Sequence, residues 1–234
     1  MFRQLFTALA SAKGINESFD HFEDMLRHAH WMFHQAIAIL MNRATVDEVK
    51  DALYERDIQI NKLERQIRRE LVRHLTIYPG KDVAACLTLM SIAKDAERIG
   101  DYCKNVFEVG RFYHEPWGVD SEFNEPLAEI QGRVDSLFDA TIETFHSSDE
   151  KRARALLDEV GQVKERCGEI ERTLLRDSHK YGTSDAVAYS LMARHFKRVG
   201  AHLGNICTAI TGEVTQLGYL PNKRDRQRIQ VESD

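Results

Sequence analysis

Glu97 and Asp101 stand four residues apart in the segment AKDAERIGDYCKNVFE, residues 93–108. On an α-helix that spacing stacks two carboxylates on one face, one turn above the other. Upstream, RDIQINKLERQI, residues 56–67, sets Asp57, Asn61 and Glu64 along one side of a second helical pattern whose apolar side carries Ile60, Leu63 and Ile67. Oxygen donors of this kind suit hard or borderline cations, and a multinuclear cluster needs bridging carboxylates from more than one helix. Glu97, Asp101, Asp57 and Asn61 satisfy that need if their two helices are neighbours. The same spacing, with Lys94, Arg98 and Lys104 interleaved, also describes an ordinary solvated helix face. Spacing alone leaves both readings open.

An echo of the first segment returns a hundred residues later as ARHFKRVGAHLGNICT, residues 193–208. Arg98 aligns with Arg198, Gly100 with Gly200 and Asn105 with Asn205, whereas Glu97 and Asp101 meet Lys197 and Ala201. In the helix before it, matching Leu63 to Ile170 sets Asp57 against Lys164 and Asn61 against Gly168. The chain is therefore a duplicated helical unit, and the acidic groups of two neighbouring helices have been lost together from the second copy. Gly100 and Gly200 weaken a helix by about 1 kcal/mol each relative to alanine, so close backbone approach is expected at both.

Other chemistry is thinly represented. His30 and His34 lie four apart and could ligate a metal as neutral imidazoles, but Trp31, Phe33 and Ile37 give that helix the composition of a packing element. A ferritin-like di-iron centre needs two ExxH motifs, and Glu143 to His146 is a lone one at a helix end. The absence of a Gly-rich phosphate loop, a GxSxG elbow and a Cys–His nucleophile pair points away from an enzyme. Cys86, Cys103, Cys167 and Cys207 are far apart with no CxxC, and read as small buried apolar residues in a reducing compartment.

The elements that must position these residues follow from periodicity and punctuation. Leu89, Ile92, Ala93, Ala96, Ile99, Cys103, Val106 and Phe107 keep the three-and-four spacing of a buried stripe. Helices are predicted at about 16–43, 45–76, 80–112, 122–147, 149–180 and 184–218, with Thr45 and Glu48 as a capping box and Pro79-Gly80 as a turn. The expected fold is all-α: two tandem three-helix bundles related by internal duplication, at 1–113 and 122–219, with a linker at 114–121 and a solvated tail at 220–234. Phe2, Leu5, Phe6 and Leu9 mark a short amphipathic N-terminal helix, for packing on the bundle or for contact with a partner or membrane surface. The net charge is −5 and the basic residues are scattered, which leaves no footprint for nucleic acid. With neither a signal-peptide run nor a long uncharged stretch, a cytoplasmic location is expected.

ERIGDYCKN, residues 97–105, and the upstream Asp57, Ile60-Asn61 and Glu64 resemble the signature of the PhoU family of bacterial phosphate-uptake regulators. The resemblance spans roughly residues 16–218, and it departs from the family at KRVGA in the second repeat and at Tyr102, where a histidine commonly stands. It implies a non-enzymatic cytoplasmic homodimer, acting on a membrane phosphate transporter, a sensor histidine kinase, or both. It also implies a carboxylate site for iron, manganese, magnesium or zinc at Glu97, Asp101, Asp57 and Asn61, in the first repeat only. An accessory role beside a low-affinity phosphate permease, and a metal-storage protein or metal-dependent enzyme, are the alternatives.

Overall fold

Six long α-helices and one short 3₁₀ turn account for the secondary structure among the described residues of the computed structural model, which are 13–113, 122–211 and 217–218. The helices are α1 (Lys13–Leu40), α2 (Val46–Ile77), α3 (Val83–Phe112), α4 (Asn124–Ser147), α5 (Glu150–Arg176) and α6 (Thr183–Thr211). The amphipathic stripe from Phe2 to Leu9, the linker at 114–121 and the tail at 220–234 lie outside the described residues.

Local chemistry explains where each helix stops. At the start of α2 the Glu48 carboxylate accepts hydrogen bonds from the Thr45 N–H and hydroxyl, both at 2.8 Å, so the chain breaks after α1 as the capping box requires. Between α2 and α3 Gly80 adopts φ of +82°, a region open to glycine. His74 Nε2 lies 3.1 Å from the Asp82 carboxylate across the same turn. Asp149 caps α5 by accepting from the Arg152 N–H at 2.9 Å. Two predicted helices were too long. The fifth gives way at Arg176 to a 3₁₀ turn, Ser178–Lys180, and the sixth, described as far as Thr211, does not include residues 217–218. Leu217 and Gly218 form a turn instead, with Gly218 at φ of +72° donating its N–H to Thr208 Oγ1 at 2.9 Å.

Within each half the three helices pack on one another, and α3 against α6 and α1 against α4 join the halves. The buried side chains form one contiguous core through both repeats. Its centre is aromatic: Phe33 of α1 meets Phe138 of α4 at 5.5 Å and Phe196 of α6 at 5.8 Å, and Phe22 meets Phe145 at 4.7 Å. The duplicated glycines sit where helices come closest. A Cβ at Gly100 would stand 3.0 Å from Ile60 Cδ1 of α2, and one at Gly200 would stand 3.3 Å from Val163 Cγ1 of α5. All four cysteines are buried free thiols, as their spacing suggested. Burial pushes Cys86 up to about 11 and Cys167 and Cys207 up to about 12, which makes them packing residues and poor nucleophiles. No helix among the described residues is long and apolar enough to cross a membrane.

Candidate functional site

The packing of α2 on α3 brings the four predicted site residues to one seam, where they divide into two groups, each built round a lysine. In the first, Lys104 Nζ of α3 lies 2.9 Å from Asp57 Oδ2 of α2 and 3.0 Å from Asp101 Oδ1, and so bridges the two carboxylates. Asn61 turns back along its own helix: its Nδ2 donates to the Asp57 carbonyl at 2.9 Å and reaches Asp57 Oδ2 at 3.5 Å. In the second group Lys94 Nζ lies 2.6 Å from Glu97 Oε2 and 3.9 Å from the buried Glu64, which also accepts from Arg68 at 2.7 Å. Glu97 Oε2 is buried and makes no hydrogen bond, its cations being Lys94 and, at 4.0 Å, Arg98, whose Nη1 also reaches Asp101 at 3.5 Å and so links the two groups.

Burial by itself lowers the affinity of Lys104 for its proton. The hydrogen bonds to Asp57 and Asp101 and their charges outweigh that cost, and the ammonium is held above its ordinary value. Lys104 is therefore a permanent cation at physiological pH, seated between two carboxylates. The donor set suits a hard cation in chemistry, and Glu97 Oε2 has acceptor capacity to spare. The place between Asp57 and Asp101, however, is taken by Lys104. Among the described residues, three ligand atoms of histidine, cysteine or carboxylate type converge elsewhere, at His30, His34 and Asp135.

The second repeat shows what the lost acids did to the same seam. Lys197, in the place of Glu97, donates to Glu171 Oε2 at 2.7 Å, and Glu171 is the counterpart of Glu64. An acid pair held by a third residue has become a direct salt bridge between α5 and α6.

A related asymmetry lies where the halves meet. Asp95 of α3 accepts from Asn205 Nδ2 of α6 at 2.7 Å and lies 2.8 Å from His202 Nδ1. Its counterpart on α6 is His195, whose Nδ1 is buried without a hydrogen bond and whose pKa is pushed down to about 4, chiefly by desolvation and then by Arg194. His195 borders an apolar groove of about 570 Å³ between α3 and α6, with Val109, Phe112, Tyr113, Val187 and Leu191. Tyr113 is fixed there by donating to Asp185 at 2.6 Å.

Comparison with known proteins settles what this architecture is. The PhoU domain profile matches twice, over residues 22–109 and 127–210. The chain belongs to the PhoU family. A PhoU-family relative from Thermotoga maritima, named phosphate-specific transport system accessory protein PhoU homolog 1, is 25% identical over 161 residues, which cover 67% of this chain and 68% of the relative. The crystal structure of PhoU from Pseudomonas aeruginosa superposes with a TM-score of 0.73 at 20% identity, covering 85% of this chain and 95% of that one. The phosphate transport system regulatory protein PhoU from Streptococcus pneumoniae gives 0.68 at 18% identity, covering 89% and 99%. The two PhoU repeats coincide with α1 to α3 and α4 to α6, so the duplication read from the echo is the family's own.

Lys104, Glu64 and Asp135 were the groups that sequence reasoning placed least well. Lys104 stands three residues after Asp101, a visible neighbour on α3, but its reach across to Asp57 is a property of helix packing. Glu64 was seen on the right face of α2 without any sign that it would be buried. Asp135 is 105 residues from His30, and no periodicity links them.

Proposed function

We propose that this PhoU-family chain regulates phosphate uptake by docking onto a membrane phosphate transporter or its sensor histidine kinase, and catalyses no reaction itself. The observation that carries this reading is the two-copy family match, and a relative named as an accessory protein of a phosphate-specific transport system supports it. The charge asymmetry supports a division of labour between the repeats. On this reading the α2–α3 seam of the first repeat is its cation-responsive part, with Asp57, Asn61, Glu97 and Asp101 as the groups that would hold a divalent ion. Such an ion would supply the neutralising charge that Lys104 provides, and it enters only if Lys104 leaves. The α5–α6 seam, closed by Lys197 on Glu171, has no such freedom.

The reading is tested by crosslinking the tagged protein in cells grown with ample phosphate and identifying what co-purifies from the membrane fraction. Components of a phosphate transporter or its sensor kinase are expected, at higher yield than from phosphate-starved cells. Crosslinks confined to unrelated proteins under both conditions would contradict the docking role.

A further inference from the structure

On the side of the molecule where α1 meets α4, His30 Nε2 lies 2.8 Å and His34 Nε2 lies 3.2 Å from the same oxygen, Asp135 Oδ1. The two histidines are one turn apart on α1, and Asp135 comes from the other repeat. We propose that His30, His34 and Asp135 form a binding site for a borderline divalent transition metal of the zinc class, separate from the carboxylate seam of the first repeat.

Four features of the geometry carry the assignment. First, the spacing fits the ion. A tetrahedral centre with ligands at about 2.0–2.1 Å separates its ligand atoms by about 3.3–3.4 Å. The observed contacts of 2.8 and 3.2 Å lie about 0.1–0.6 Å inside that edge, a gap that small side-chain rotations open, and the ligand atoms of all three residues lie within 4.8 Å of one another. Second, the ligand chemistry is right: two imidazoles and one carboxylate suit zinc, nickel or cobalt better than magnesium or calcium.

Third, the other nitrogen of the best-placed ligand has a carboxylate beside it. His30 Nδ1 lies 3.4 Å from Asp139 Oδ1, one turn beyond Asp135 on α4, and a metal-bound histidine characteristically donates its remaining N–H to a carboxylate. The ring plane is held by Phe138, stacked on His30 at 4.6 Å and 7°. Fourth, carboxylate oxygens at both nitrogens are a poor fit for a neutral imidazole, which has one N–H to donate. A metal on Nε2 with the proton on Nδ1 satisfies both contacts at once. Protonating the ring is the competing solution, and a metal titration separates the two.

Three protein ligands leave a fourth tetrahedral position for water or a partner's side chain, as in open zinc sites. His34 is about half exposed and Asp139 largely so, which gives the ion a path in from solvent. A metal here would clamp the first helix of one repeat to the first helix of the other, and so set the angle between the halves.

The test is calorimetric titration of the chelator-stripped full-length protein with Zn²⁺, alongside the Glu97→Gln/Asp101→Asn double variant, in which the carboxylate seam is disabled. One equivalent of Zn²⁺ is expected to bind in both proteins. Because His34 is half exposed, His34→Gln should fold normally, which circular dichroism checks, and it should bind at least about 100-fold more weakly. Asp139→Asn should lose about 10- to 100-fold. Co²⁺ should give the intense visible absorption of a tetrahedral nitrogen–oxygen site in the wild type and not in His34→Gln. At a hundredfold excess over its dissociation constant Zn²⁺ should raise the Tm by about 5–10 °C. Equal Zn²⁺ affinity in wild type and His34→Gln, or binding abolished by Glu97→Gln/Asp101→Asn alone, would overturn the assignment. The second outcome would place the ion on the seam, so a failure here leaves the docking role to be judged by its own experiment.

Discussion

Replacing Lys104 with methionine keeps the length and apolar stem of the side chain and removes the ammonium that bridges Asp57 and Asp101. At an effective dielectric of about 20, each of the contacts at 2.9 and 3.0 Å is worth about 5–6 kcal/mol in Coulomb energy before desolvation is counted. Most of that is offset by the cost of drawing the charges out of water, and hydrogen bonds to charged groups net about 1.5–3 kcal/mol. Asp101 is a third exposed and recovers part of its loss from solvent, whereas Asp57 is 14% exposed and recovers little. Among the described residues Asp101 keeps Arg98 Nη1 at 3.5 Å, whereas Asp57 keeps only the Asn61 amide at 3.5 Å. Lys104→Met should therefore cost about 2–3 kcal/mol, read as a drop in Tm of about 5–10 °C for a chain of this size. If the seam is cation-responsive, millimolar Mn²⁺ or Mg²⁺ should restore part of the loss in the variant, since the ion binds the folded form alone, and should change the wild type much less. The assay is thermal and urea denaturation near neutral pH with chelator and with added cation. Two results would refute the reasoning: a variant as stable as the wild type, or a cation effect of equal size in both. The first would mean that the bridge is a surface pairing of no consequence, the second that the ions act elsewhere.

Two further predictions concern the frame around the site. Gly110→Ala should destabilise the protein by about 1–3 kcal/mol in spite of the better helix former, because its Cβ would stand 3.0 Å from the Leu40 backbone nitrogen and 3.1 Å from Leu40 Cα. Gly132→Ala, with nothing within 4 Å of its Cβ, should stabilise by about 0.5–1 kcal/mol in the same denaturation experiment. His195, held at about 4 by burial, stays neutral in the fold while the unfolded chain begins to take up its proton below about pH 6.5. Stability should be flat above that pH on this account and fall by about 2 kcal/mol between pH 6.5 and 4, after allowance for the ring's partial solvent contact. His195→Phe should flatten that part of the pH profile; an unchanged slope would assign it to other groups.

The fold was legible because helix periodicity, capping and turn chemistry agreed with one another along most of the chain. Thr45 with Glu48 and Pro79-Gly80 marked boundaries that the structure keeps. The fifth helix was read too long because polar residues with adequate helix propensity follow Leu174, its last buried residue, and pattern alone gives no reason to stop. The site was legible as a set of faces. Asp57, Asn61, Glu97 and Asp101 do share a seam, yet the two lysines that organise it act across the helix pair, at a distance that α2–α3 packing sets. The His30 and His34 pair is visible at its i, i+4 spacing on a helix of packing composition, and His30 does stack on Phe138. Asp135 alone turns the pair into a ligand set, and it arrives through the contact between repeats.

The central claim, that the chain regulates phosphate uptake through the transport machinery, is tested most directly by the initial rate of radiolabelled phosphate uptake in cells lacking it, grown with ample phosphate. The account predicts a rate different from that of the parent strain, returned to the parental level by the wild-type protein. An uptake rate unchanged by the deletion and by its complementation would contradict it.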